Sequence, residues 1–193
     1  MNYKIKLKRI FTRPFHPVFL ILFLILSVVL NLALSYFNNI VIHSPLFLDS
    51  IFTAVSAVFF GPLAGMAVGL LTNIFMEFQY GMTGLYWPFA LCNMATGLIL
   101  GVMSRKGLFE NAYHVVSAIL AVSLANALLG ALVAYLLFQG DSGVQIDKIV
   151  YAFINLGQSL FTAGFWARIP ANLIDKMFTV YLAFLMKKAV FSE

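Results

Sequence analysis

Charged side chains are scarce in this sequence, and the motifs of the common catalytic sites are missing. Only 10% of the 193 residues are Asp, Glu, Lys or Arg, well below the share in soluble globular domains. No HExxH pair and no GxxxxGK[ST] phosphate loop occurs, so neither a zinc hydrolase nor an ATPase is indicated. The single cysteine, Cys92, excludes an intramolecular disulfide and a thiolate metal site. We predict no catalytic residues, no metal site and no cofactor.

Apolar residues, in contrast, make up 62% of the chain and are concentrated in six blocks. In lipid each block must satisfy its own backbone hydrogen bonds, so helices are predicted. The blocks cover residues 17–37, 46–60, 62–79, 86–103, 113–138 and 170–186. The predicted fold is an all-α membrane protein, a single integral membrane domain over residues 1–193 with six transmembrane helices.

Lysine and arginine indicate the orientation of these helices. Nine of the twelve occur in a basic leader at residues 1–14, at 105–106 and at 187–188, whereas loops 38–45, 80–85 and 139–147 contain neither. The positive-inside rule therefore predicts cytoplasmic N- and C-termini. The net charge of +5 reflects this topology rather than nucleic-acid binding. The leader also fits a signal peptide, but the apolar run exceeds the usual h-region of about 7–15 residues, so a retained helix is predicted.

The stretch 148–166 does not fit the six-span pattern, because a seventh span would place the basic C-terminal residues outside. Its polar residues recur at three- and four-residue spacing, which is typical of one polar helical face. They are Asn155, Gln158, Ser159 and Thr162. We predict an additional interfacial or re-entrant helix on the outer side over this stretch.

Polar side chains inside the predicted helices cluster in the outer half of the membrane. Such groups are retained in hydrocarbon where they contact one another, water or a ligand. The cytoplasmic halves carry no comparable set, which favours a pocket open to one side over a channel. The clustered residues are Asp49, Asn73, Glu77, Asn93, Asn126, Asn172, Asp175 and Lys176. This pattern predicts capture of a small molecule from outside.

Structural roles explain several of these residues equally well. Asp49 fits a helix cap, and Asp175 with Lys176 fits a packing contact between helices. Gly61, Gly65 and Gly69 allow close helix approach, either inside the bundle or at a docking surface for a partner subunit.

Three segments resemble the substrate-binding S components of energy-coupling factor (ECF) transporters. They are PLFLDSIFTA at 45–54, FGPLAG followed by VGLLTN within 60–73, and NLIDK at 172–176 before an apolar helix and a basic end. The resemblance implies a membrane subunit, in a bacterial cell membrane, that binds a vitamin or related micronutrient on the outer side. It implies a transmembrane T component and two cytoplasmic ATPase subunits as partners.

The resemblance also implies which residues contact the ligand. The candidates are Asn93, Asn126, Asn155, Gln158 and Asn172, with Trp87 as a stacking residue, although Trp87 also fits an interfacial aromatic belt. A docking motif of the type AxxxA in the first helix is replaced by SVVLN at 27–31, which leaves the three glycines as the docking candidate.

Two other functions remain open at this point. Sensor modules of bacterial histidine kinases have similar second and third helices, but they normally precede a cytoplasmic signalling domain, and none follows Lys188 here. A membrane enzyme would use Asp49, Glu77 and Asp175 as acid, base or metal ligands, but no metal or nucleophile motif accompanies them. Substrate binding for transport is the preferred prediction.

Overall fold

The computed structural model describes residues 17–44, 46–142 and 146–191, and the regular elements within these ranges are all helical. In chain order they are α1 (Pro17–Phe37), α2 (Ile51–Phe60), α3 (Pro62–Gln79), α4 (Ala90–Arg105), α5 (Ala112–Phe138), α6 (Asp147–Asn155) and α7 (Leu160–Phe191). A π-helical turn (Asn38–Ile42) extends α1, and a 3₁₀ turn (Trp87–Phe89) precedes α4. The all-α prediction is confirmed. The basic leader at 1–14 and Pro45 lie outside the described residues.

Four helical segments of the described ranges are long and apolar enough to cross a membrane. They are Pro17–Ile42, Trp87–Arg105, Ala112–Phe138 and Leu160–Val190. The apolar helix α2 has only 10 residues, so it is about 15 Å long, half of a hydrocarbon core of about 30 Å. Residues 46–50, predicted to be helical, instead form an irregular segment before it. The fold is thus that of a multi-pass membrane protein, and six spans stay a prediction.

The predicted additional helix over 148–166 is present but shorter, because this stretch divides between α6 and the start of α7, and its interfacial or re-entrant placement stays a prediction. α6 ends at Asn155, and Gly157 follows with φ of +87°, a left-handed conformation open to glycine. α7 begins at Leu160 and continues for 32 residues through Pro170. Proline is tolerated inside a helix where neighbouring helices support it, and α7 packs closely along α5.

The bundle has two halves of different chemistry, the apolar half and the polar half. The apolar half contains a continuous hydrophobic core from α2, α4, α5, α7 and the α4–α5 turn. Its buried residues are Ala54, Val55, Ala57, Val58, Leu100, Phe109, Val115, Ala118, Val122, Val180 and Ala183. The polar half lies at the opposite ends of the same helices, where residues 46–50, the α3–α4 loop and Ile146 before α6 lie around buried polar side chains.

Glycines determine how closely α3 approaches α4. A Cβ added to Gly65 would lie 2.9 Å from the Cα of Gly97, and one added to Gly69 would lie 2.7 Å from the carbonyl carbon of Asn93. Gly61, at the α2–α3 turn, is buried as well. These contacts support internal packing for Gly61, Gly65 and Gly69, and their docking to a partner subunit stays a prediction. These glycines are inside the bundle, where they allow helices of the same chain to pack.

Candidate functional site

A cavity of about 920 Å³, mouth included, opens in the polar half. The polar members of its lining are Ser35, Asn39, Ser44, Asp49, Ser50, Asn73, Asn93, Asn126, Arg168, Asn172 and Lys176. Phe47, Met76, Tyr86 and Phe89 contribute apolar and aromatic wall. The cavity therefore combines flat apolar surfaces with a few fixed polar groups.

Three of the six ligand candidates line this cavity and are almost fully buried. They are Asn93, Asn126 and Asn172, at 3%, 4% and 3% exposure. The other three lie outside the lining: Asn155 and Gln158 are exposed around the end of α6, and Trp87 is 56% exposed. Contact of these three with a ligand stays a prediction, and the candidate site is built on the buried asparagines.

A ladder of amides connects the α3–α4 loop to α4. The carbonyl of Tyr86 accepts a hydrogen bond from Asn73 Nδ2 at 3.1 Å. Asn73 Oδ1 in turn accepts from Asn93 Nδ2 at 3.0 Å, and Asn93 Nδ2 also donates to the carbonyl of Asp49 at 3.1 Å. Asn93 Oδ1 is left buried without a hydrogen-bond partner in the described structure.

Asn126 on α5 also combines a hydrogen-bonded amide nitrogen with an unpartnered oxygen. Its Nδ2 donates to Thr96 Oγ1 at 2.9 Å, and the Thr96 hydroxyl donates to the carbonyl of Cys92 at 3.1 Å. Asn126 Oδ1 is a second buried oxygen for which no partner is found among the described residues. A buried polar atom without a partner is rare enough to require an explanation.

α7 supplies three polar side chains at four-residue spacing, which places them on one helical face. Arg168, Asn172 and Lys176 all line the cavity. Arg168 is 2% exposed and donates to the Gly164 carbonyl at 3.1 Å and to Ser142 Oγ at 3.2 Å. The prediction that the last helix begins at residue 170 excluded Arg168 from the site. The four-residue spacing was the signal that could have indicated it.

Asp175 and Lys176 form a buried ion pair that positions the segment before α2. Lys176 Nζ lies 2.5 Å from Asp175 Oδ2 and 2.6 Å from Ser50 Oγ. Asp175 Oδ1 accepts from the backbone N–H of Leu48 at 2.9 Å. Asp175 does not line the cavity, so its contacts support the structural role, whereas Lys176 takes part in both the pair and the lining.

Glu77 organises the α3–α4 loop. Its Oε2 accepts from the backbone N–H groups of Tyr86 at 2.8 Å and Trp87 at 3.1 Å, and its Oε1 accepts from the N–H of Gly84. Glu77 is absent from the cavity lining. Neither Glu77 nor Asp175 is therefore positioned to act on a cavity ligand. No group of three or more His, Cys, Asp or Glu side chains suited to a metal ion occurs in the described part of the chain.

Asp49 supplies a carboxylate from the segment before α2 to the cavity. Burial raises the pKa of Asp49 to about 6, and the Lys176 ammonium opposes this rise. Burial also raises the pKa of Tyr86, whose ring stacks on Tyr80 with centroids 4.6 Å apart. The cavity lining thus has one carboxyl whose pKa is raised to about 6 and a phenol that stays neutral at physiological pH.

Comparison with known families gives this architecture a context. The family model described as ECF transporter, substrate-specific component, matches residues 17–186. The chain belongs to this family. No curated protein and no solved structure matches it. The resemblance found in the sequence is confirmed over nearly the whole chain.

Family membership identifies the kind of subunit. A substrate-specific component is the substrate-binding subunit of a transporter, and the family associates in the membrane with T and ATPase subunits.

Proposed function

We propose that this chain captures a vitamin or related micronutrient from outside a bacterial cell and delivers it for ATP-driven uptake. The transmembrane T component and two cytoplasmic ATPases would provide the energy. The observation that carries this proposal is the cavity itself, which is confined to the polar half of a protein of the substrate-specific family. A small molecule enters such a cavity from one side and finds buried amides there.

The proposed orientation has six spans, cytoplasmic termini and an outward-facing cavity. It is supported by the basic residues at the end of the apolar half, which are Arg105, Lys106, Lys187 and Lys188. Residues 80–89, three of which line the cavity, and residues 139–142 after α5 contain no lysine or arginine. Basic residues concentrate in cytoplasmic loops, so the mouth of the cavity faces outward.

The packing of the apolar half explains why a partner is needed for release. Leu100, Phe109 and Val122 are fully buried there, so a polar substrate has no path through this half in the observed conformation. Movement of the subunit as a whole, driven by the T component and the ATPases, would expose the cavity to the cytoplasm. The chain itself then needs only to bind its substrate and to change its contacts with its partners.

Native mass spectrometry of the detergent-purified protein tests this proposal, combined with identification of the small molecules released on denaturation. We expect one vitamin-like compound per chain, and a gently solubilised, tagged chain should co-purify with the T component and ATPases. An empty protein that co-purifies with a histidine kinase would contradict the proposal and support a sensor function.

A further inference from the structure

Two asparagines that line the cavity, Asn93 and Asn126, each have a buried side-chain oxygen without a partner in the described part of the chain, and their neighbours determine the orientation of each amide. Both N–H groups of Asn93 are used by acceptors, one of them the backbone carbonyl of Asp49. The Thr96 hydroxyl donates to a backbone carbonyl, so it accepts from the Asn126 amide nitrogen. If either amide were flipped, its oxygen would face another acceptor, and the hydrogen bonds of its nitrogen would be lost. Asn93 and Asn126 therefore both present an acceptor oxygen.

Asp49 adds a third acceptor to the same cavity. Its carboxylate accepts no hydrogen bond from another residue in the described part of the chain, and it lies in the lining with Asn93 and Asn126. The carboxylate is ionised above its pKa, and it then has the capacity to accept several hydrogen bonds.

The cations of the cavity already have anionic or polar partners. Lys176 pairs with Asp175 at 2.5 Å. Arg168 donates to Ser142 Oγ, which donates to the carboxylate of Asp147 at 2.9 Å. Each cation therefore has a carboxylate beside it or one hydroxyl away, whereas Asn93, Asn126 and Asp49 form an acceptor-rich part of the cavity lining. A polycarboxylate or a phosphorylated compound would place further acceptors and like charge against it.

We propose that the ligand of this cavity is a neutral or cationic nitrogen compound with a hydrogen-bond donor edge, such as an amino-substituted heterocycle or an amidine. Two of its N–H groups are bound by Asn93 Oδ1 and Asn126 Oδ1, and Asp49 accepts from the same compound. A flat ring is favoured over an aliphatic amine because Phe47, Tyr86 and Phe89 line the cavity. This inference rests on the proposed function, since it describes the substrate of the same site.

The test loads the detergent-purified protein with the dialysable fraction of yeast extract, followed by washing and mass spectrometric identification of the retained compound. Fragmentation spectra and mass shifts in deuterated water identify its N–H groups. We expect a compound with at least two N–H donors on one edge. Asn93→Leu and Asn126→Leu should each weaken its binding roughly 5- to 150-fold, because each removes one acceptor.

The control variant is Thr179→Val on α7. It removes the Thr179 hydroxyl, whose Oγ1 is also buried without a partner among the described residues but is outside the cavity lining. It should retain the compound as the unmodified protein does. Thermal unfolding of each variant shows whether a loss of binding reflects a loss of folding. If both asparagine variants unfold, the chemical identity of the compound retained by the unmodified protein decides the matter.

The outcomes separate this inference from the proposed function. A retained compound without an N–H donor edge, or one bound equally by both asparagine variants, would overturn the inference and leave the substrate-binding function intact. If the unmodified protein retains no compound from the extract and none from its own cell, the proposed function fails and the inference fails with it.

Discussion

The two halves of this bundle are built from the same helices but follow opposite rules of burial. In the apolar half, α4 and α7 bury Leu100 and Val180 completely. In the polar half, the same two helices bury Asn93 and Lys176 to almost the same extent. Burial of a polar group requires a partner. Apolar packing therefore explains the burial of Leu100 and Val180, whereas the burial of Asn93 and Lys176 also requires hydrogen-bond partners.

Most buried polar groups of the polar half have those partners within the chain. Asn38 Nδ2 donates to the carbonyls of Ser44 and Leu46, and Asn31 connects α1 to α2 and α3 through Thr53 and Thr72. These residues have structural roles. The exceptions are Asn93 Oδ1 and Asn126 Oδ1, and both residues line the cavity.

Removal of one partner of the buried ion pair should produce the largest change in stability. Asp175→Leu leaves the ammonium of Lys176 buried without its counter-ion, so we expect a loss of about 3–5 kcal/mol in the free energy of unfolding. Denaturant titration in detergent measures it. Glu110→Gln is the matched control, because Glu110 is 67% exposed and lies 3.6 Å from Lys187. That surface pair should contribute at most about 1 kcal/mol. Equal losses of stability in Asp175→Leu and Glu110→Gln would contradict the expected difference between the buried pair and the surface pair.

A truncation in the apolar half should lower stability without removing the substrate. Leu100 is fully buried in the hydrophobic core, so Leu100→Ala should cost about 2–5 kcal/mol through lost packing and a residual cavity. Small-molecule occupancy per folded chain, measured by native mass spectrometry, should stay at the level of the unmodified protein. A vacant Leu100→Ala protein that remains folded would show that the two halves are not independent.

An enlarged side chain at the α3–α4 crossing should affect both halves. Gly65→Leu forces α3 away from α4 near Gly97, and overpacking of this kind costs about 1–3 kcal/mol. Because the same crossing sets the position of Asn93 beside Gly69, occupancy should fall as well. Leu63→Met on the exposed side of α3 is the control and should change neither quantity. Full occupancy in Gly65→Leu would show that the crossing does not position the cavity.

Sequence patterns identified the helices well because lipid imposes a simple rule on them. The predicted bounds of α1 and α3 agree with the structure, and α5 differs by one residue. Each of these helices is a long apolar run, and a backbone in hydrocarbon satisfies its hydrogen bonds within such a run. The depth of the asparagines also followed from the helix assignments, and three of them share the cavity.

The remaining features depend on contacts between distant parts of the chain. Pro170 suggested a helix start, but α7 continues through it, and Arg168 is buried against Ser142, 26 residues earlier in the sequence. For Asn155 and Gln158, periodicity indicated a polar face without indicating what that face contacts, and both are exposed. The glycines likewise indicated close approach, but only the fold shows that the partner is α4.

The pH dependence of capture should be the smallest of these effects. Burial raises the pKa of Asp49 to about 6, so the carboxyl is an ionised acceptor above this pH and a neutral group below it. Capture of the compound from yeast extract should therefore weaken as the pH falls through 6, by roughly 0.5–1.5 kcal/mol or about 2- to 12-fold. Lys176 and Asp175 are the charged groups that act on Asp49. Asp49→Asn should bind with little change between pH 5 and pH 8, and an unaltered pH profile would exclude Asp49 from capture.

The central claim is that the polar half holds a binding cavity that opens outward. Leu85→Cys at the cavity and Leu108→Cys in the α4–α5 turn, each combined with Cys92→Ala, test it by labelling intact cells with a membrane-impermeant maleimide. We predict that Leu85→Cys is labelled in intact cells, that the dialysable yeast extract reduces this labelling, and that Leu108→Cys is labelled only after permeabilisation. Labelling of Leu108→Cys in intact cells, with Leu85→Cys protected until permeabilisation, would contradict the claim.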